Sequence, residues 1–91
     1  MAEIVFGRQF HKYYNQRIYP SPKLTNRFNE RLKIFCKNSA HPVLNDHPLH
    51  SKLSGCRSFS ITKDIRVIYQ IIDDNPVRFL NVGTHNQVYG K

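Results

Sequence analysis

The sequence predicts an α+β fold in the order β-α-α-β-β-β, with two N-terminal helices packed on an antiparallel sheet. Three observations carry this. Apolar residues recur at helical spacing between Phe10 and Phe35. They alternate, or run on unbroken, from position 56 onward. Proline- and asparagine-rich turn signals separate the segments. Helices early and consecutive hairpins late suit an α+β architecture rather than alternating parallel units. At 91 residues the chain is expected to form a single domain with one modest core.

Each element has its own warrant. Residues 2–6, AEIVF, suit a short opening strand. Phe10, Tyr13, Tyr14 and Ile18 then form one apolar stripe of a helix, with His11, Lys12, Asn15, Gln16 and Arg17 on the other face. The run YPSP (19–22) stops that helix, because proline restricts both itself and the residue before it. Ser21 followed by Pro22 starts a second helix, a hydroxyl cap and then a first-turn proline, with Leu24, Phe28, Leu32 and Phe35 as its stripe. Residues 38–55 read as a long polar loop rich in His, Pro and Asn, and long ordered loops often carry function. In CRSFSIT (56–62), Ser58 and Ser60 alternate against Phe59 and Ile61, as in a half-buried strand. IRVIYQII (65–72) is the most apolar run and should be the central strand. DDNP (73–76) is a turn, and VRFLNV (77–82) the last long strand.

Charge narrows the partners. Fourteen Lys and Arg face six Asp and Glu, a formal +8. No acid occurs from Ile4 to Asn29, where Arg8, Lys12, Arg17, Lys23 and Arg27 stand, and none from Asn75 to Lys91. Such a surface attracts polyanions, nucleic acid first and an acidic protein partner second. The opening MAEIVFG lacks the form of a secretory leader, and no apolar run has the length of a membrane span, so a cytoplasmic protein with no membrane role is expected. Cys36 and Cys56 form no zinc-type spacing and are expected to be reduced, partly buried thiols. His41, His47 and His50 with Asp46 match no established zinc pattern, so no metal and no cofactor is expected.

The residues able to carry chemistry lie in the second half: His47 and His50 in the loop, Arg57, Asp64, Arg66, and His85 and Tyr89 after the last strand. In an antiparallel meander, Arg66 and His85 fall at one end of the sheet. The set suits cleavage of RNA by its own 2′-hydroxyl. A base takes the 2′ proton and an acid protonates the leaving 5′ oxygen, and histidine does either near neutral pH. Arginine stabilises the charge gathered on phosphorus, and tyrosine stacks on a splayed base. Taken singly, each residue also has an ordinary reading: an exposed or capping histidine, a solvated arginine at a strand end, a packing tyrosine.

The segment DHPLHSKLSGCRSFSITKDIRVIYQIIDDNPVRFLNVGTHNQVYG resembles the C-terminal half of the RelE/ParE superfamily of toxins from toxin–antitoxin pairs, most of all its YafQ-like branch. The matching points are His47-Pro48-Leu49, Gly55 and Arg57, Asp64, RVIYQI (66–71), and VGTH (82–85) followed by Tyr89; together they cover about half of the chain. The resemblance implies an RNase fold that cleaves mRNA, usually in the ribosomal A site, and a cognate antitoxin. It implies that His47, Asp64 and His85 are active-site residues, that Arg57 and Arg66 hold phosphate, and that Tyr89 holds a base or positions the phosphate. Two positions depart from the branch. Ser60 stands where YafQ-like relatives carry a second histidine, and Ile65 where they carry an aromatic; Arg66 instead is similar to the RelE branch.

The sequence reading is therefore an endoribonuclease toxin. His85 is expected as general acid and His47 as general base, assisted or oriented by Asp64. Arg57 and Arg66 would hold the scissile phosphate and Tyr89 the substrate, with His50 standing in for the missing imidazole. The rival readings are a ParE-like toxin that binds DNA gyrase and a basic nucleic-acid-binding module without catalysis.

Overall fold

Ser21 and Pro22 start a helix as their chemistry requires. The Ser21 hydroxyl accepts from the Leu24 backbone N–H at 3.2 Å, and Pro22 fills a first-turn position that needs no N–H. This helix is α2 (Pro22–Lys37), in a computed structural model that describes residues 3–73 and 76–89. Before it come β1 (Ile4–Phe6) and α1 (Arg8–Arg17). After it come β2 (His47–Pro48), β3 (Cys56–Ser60), β4 (Ile65–Ile71), β5 (Val77–Thr84) and a short α3 (His85–Tyr89). Ala2, and Asp74 and Asn75 of the expected turn, lie outside the described residues.

The architecture is α+β, with β4 at the centre of a five-stranded sheet in the order β1-β5-β4-β3-β2. β3, β4 and β5 form the expected antiparallel meander. The sheet as a whole is mixed, because β1 joins the outer edge of β5 in parallel, Ile4 beside Val77 and Phe6 beside Phe79. The two helices that follow β1 make that direction possible, since a parallel neighbour needs a long crossover.

The polar loop is more structured than its composition suggests. Two 3-10 turns, Pro42–Leu44 and Ser51–Leu53, flank β2, which pairs His47 with Ser58 and Pro48 with Arg57. Leu44 is fully buried in the core. His41 accepts from the Val43 N–H through Nδ1 at 3.1 Å and so caps the first turn.

Strand alternation divides the sheet into two faces. Phe59, Val67, Tyr69, Phe79 and Val82 pack with Phe10, Phe28 and Phe35 of α1 and α2. Phe59 stacks on Phe35 with centroids 4.6 Å apart, and Tyr69 meets Phe35 edge-on at 5.0 Å. The opposite face carries Ser58, Ser60, Arg66 and Ile68, and α3 lies over it. β3, β4 and β5 hold this division through a register in which Ser60 pairs with Arg66 and Arg66 with Gly83.

Phe59 has no exposed surface. Its replacement by Ala is expected to cost about 3–5 kcal/mol of unfolding free energy, measured by urea denaturation. A cost below about 1 kcal/mol would mean that the core does not close on this ring.

Candidate active site

Arg66 is the side chain that the site is built on. It points to the α3 side of β4 and is only 9 % exposed. Its Nε donates to Ser58 Oγ at 2.6 Å and its Nη1 to Ser60 Oγ at 2.7 Å. Its Nη2 donates to the Asn45 carbonyl at 3.0 Å and, more weakly, to the Ser58 carbonyl at 3.4 Å. Every one of these acceptors is neutral. Among the described residues, no carboxylate lies within ion-pair distance of Arg66.

Two of those partners were not legible as site residues. Ser58 is fully buried, and its hydroxyl also meets the Tyr89 hydroxyl at 3.1 Å. Asn45 sits in the left-handed region at φ 48, which asparagine tolerates better than most residues. That turn aims its carbonyl at both Arg66 and His47, whose Nδ1 stands 3.0 Å from it. With the proton on Nδ1, the carbonyl accepts from the ring and Nε2 keeps a lone pair for a substrate. Arg66 Nη2 is 3.3 Å from the same Nδ1.

A cavity of about 480 Å³ opens beside Arg66, lined by His47, Pro48, Leu49, His50, Leu53, Arg66, His85 and Tyr89. That volume suits a ligand of nucleotide size. Pro48, Leu49 and Leu53 supply an apolar wall, the imidazoles and guanidinium a polar one. The structure therefore brings together His47, His50, Arg66, His85 and Tyr89. His85 and Tyr89 are the first and last residues of α3, one turn apart, with ring centroids at 4.4 Å in an edge arrangement. The residues that follow the last strand form a short helix.

Asp64 is placed differently from expectation. It precedes β4 and lines a smaller depression of about 360 Å³ with Lys63, Arg66, Thr84, His85 and Asn86. Its carboxylate makes no hydrogen bond to His47 among the described residues; the Asn45 carbonyl orients that ring instead.

Arg57 is not brought to the site. It shares strand parity with Phe59, so it projects on the α1–α2 side, opposite to Arg66. There its Nε donates to Asp46 Oδ1 at 2.7 Å, and the Tyr69 hydroxyl donates to Asp46 Oδ2 at 2.5 Å. Asp46 holds the Arg57 guanidinium even further above its ordinary range. Burial first, and the Asp46 hydrogen bond second, push the Tyr69 phenol well above its usual range. Asp46 and His41 are thus engaged structurally, and among the described residues no three metal-type side chains converge. Cys36 and Cys56 are both free and half-buried.

The fold has well-matched counterparts. A YafQ mutant from E. coli superposes with a TM-score of 0.81 at 24% identity, covering 99% of this chain and 100% of that one. The E. coli DinJ–YafQ complex gives 0.79 at 27% identity, with 99% and 100% covered. A YoeB/ParE toxin from Agrobacterium tumefaciens gives 0.72 at 14% identity, with 91% and 98% covered. No curated protein matches the chain. A mixed sheet with two helices on one face and a His/Arg/Tyr cavity on the other thus has the fold of the RelE-type toxins. Residues 2–90 match the family described as the bacterial toxin of a type II toxin–antitoxin system, YafQ. The chain belongs to that family.

Tyr69 gives a pH test of the opposite face. Its folded pKa is raised, so the stability it contributes is complete below its unfolded value, about 10, and falls as pH rises above that. Above about pH 10 the parent should lose unfolding free energy faster than Tyr69→Phe, measured by urea titration at stepped pH. Parallel curves would place the phenol in water rather than against Asp46.

Proposed function

We propose that this toxin is an endoribonuclease that cleaves mRNA at the ribosome by metal-independent acid–base transfer. The observation that carries the reading is Arg66: a buried guanidinium on neutral partners, facing an open cavity flanked by two kinds of imidazole position. A phosphodiester supplies the anion that this charge lacks, and the planar fork meets the phosphate oxygens as charge builds in the transition state.

The roles follow from position. His47, its Nδ1 turned to the Asn45 carbonyl, offers Nε2 to the 2′-hydroxyl as base. His85, on the other wall, protonates the 5′-oxygen as it leaves. The new bond joins the 2′-oxygen to phosphorus and the broken bond releases the 5′-oxygen, so one proton is taken up and one given. Tyr89, tied to Ser58 and lining the same cavity, holds or orients the substrate. Asp64, in the depression beside His85, serves that imidazole rather than His47. His50 lines the same cavity as His47 and remains the candidate for the imidazole that Ser60 replaces.

The partners extend this reading. The DinJ–YafQ complex supports a cognate antitoxin for this chain as well; the cytoplasm, where mRNA is translated, is the proposed place of action. The acid-free stretch from Ile4 to Asn29 suits ribosomal RNA or an acidic antitoxin segment. No helix among the described residues is long and apolar enough to cross a membrane.

The test is induced expression of the parent, His85→Ala, His47→Ala and Arg57→Ala, followed by growth and by mapping of mRNA 5′ ends. The parent and Arg57→Ala should arrest growth with new ends in coding regions. The two histidine variants should do neither, since loss of acid–base help typically costs about 10²–10⁴-fold. Growth arrest by the parent and by His85→Ala with intact mRNA would sink the nuclease reading and favour a toxin that binds gyrase.

A further inference from the structure

His85 makes no side-chain hydrogen bond among the described residues, so its place depends on the backbone that carries it. That backbone is α3, five residues long. A helix so short cannot hold itself together, because nucleation costs more than one turn returns. Something must pin it.

At its start, Thr84 N–H donates to the Gln87 side-chain oxygen at 2.8 Å, and Gln87 N–H donates to Thr84 Oγ1 at 3.3 Å. This pair of bonds is a reciprocal cap of the Ser/Thr-x-x-Glu/Gln kind, and His85 is the first residue inside it. Thr84 is itself fixed by β5, opposite Ile65 of β4. The space that Gln87 occupies exists because residue 83 is glycine. A Cβ there would stand 2.5 Å from Gln87 Oε1 and 2.8 Å from Arg17 Nη1. Arg17 is held in turn by the Val82 carbonyl at 2.9 Å and lies 3.9 Å over the Tyr13 ring. At the far end, Tyr89 is tied to Ser58 and Val88 is buried.

We propose that Gln87 is a positioning residue: its side chain closes the cap that fixes where the imidazole of His85 stands against the cavity. The proposal rests on the nuclease reading for its catalytic consequence, but the placement of His85 can be read without it. Gln87 is exposed, so its bonds compete with water and add little to global stability. Its contribution is geometric, and small misplacements of an acid–base group are costly in rate.

The experiment compares the full-length parent with Gln87→Ala and Gln87→Glu, the second keeping an oxygen acceptor at the same reach. Three quantities are read: kcat and KM on a defined mRNA bound to ribosomes, the thermal unfolding midpoint, and the ring-current displacement that Tyr89 imposes on the His85 ring protons by NMR. Gln87→Ala should lower kcat on the order of tenfold, leave KM and the midpoint close to the parent, and shift the His85 resonances toward their unperturbed positions. Gln87→Glu should restore the rate and the resonances together. Parental kcat and resonances in Gln87→Ala would overturn the proposal, as would equal damage in both variants. If the parent cleaves no RNA, the nuclease reading fails, and the His85 resonances alone decide whether the cap positions the ring.

Discussion

The site depends on one interaction, the burial of the Arg66 guanidinium against neutral oxygens. Taking a charge out of water is costly, and two serine hydroxyls and two carbonyls engage most of its N–H groups, leaving a donor on Nη1 and the charge itself uncancelled. A carboxylate in place of either serine would have closed an ion pair and left the cavity electrically quiet. With serines, the positive charge is left unpaired beside the cavity that Arg66 lines, where it can attract an anion. The nearest carboxylates are spent otherwise: Asp46 is bound by Arg57 and Tyr69 on the far side of the sheet, and Asp64 looks into a neighbouring depression.

Register is what keeps that arrangement in place. Core and site occupy the two faces of the same three strands, so a slip of one residue would send Arg66 into the phenylalanine core and Val67 to the cavity. The aromatic cluster around Phe35, Phe59 and Phe79 therefore does more than stabilise the fold: it fixes the parity that aims Arg66. The irregularity in the β4–β5 ladder falls between Ile68 and Tyr69, beyond the Arg66–Gly83 pair, and leaves the register at the site untouched. The Tyr89–Ser58 contact then ties the tail to the same arginine, so that three separate stretches of chain converge on one group.

Much of this was legible from residue order. The two amphipathic stripes, the Ser21–Pro22 start and the central place of RVIYQI follow from periodicity and cap chemistry, and they appear as such in the structure. His47, His50, Arg66, His85 and Tyr89 stood out as candidates in an acid-poor surface, and the structure sets them around one cavity. The place of Arg57 was also written in the alternation, since Ser58 and Ser60 were set against Phe59, and Arg57 has the parity of Phe59. The two-residue β2 carries no periodic signal, and its pairing depends on the turn at Asn45, whose left-handed backbone no pattern announces. The helix α3 did carry a signal, Thr84-x-x-Gln87, in a stretch that otherwise reads as polar tail. Ser58 could not be found that way, because its importance comes only from lying across the ladder beside Arg66 and beneath Tyr89.

The most direct test of the central claim is to keep the charge of Arg66 and remove its fork. Arg66→Lys retains the cation but not the planar donors that meet Ser58, Ser60 and a phosphate at once. The measurement is the affinity for a short RNA whose scissile 2′-hydroxyl is replaced by hydrogen, read by titration of the folded variant and parent at the same ionic strength. The account predicts weaker binding of the RNA by Arg66→Lys, by about tenfold or more, with the unfolding midpoint also lowered by the broken serine contacts. Equal affinity in the two proteins would contradict it, and would mean that the anion is held somewhere other than on Arg66.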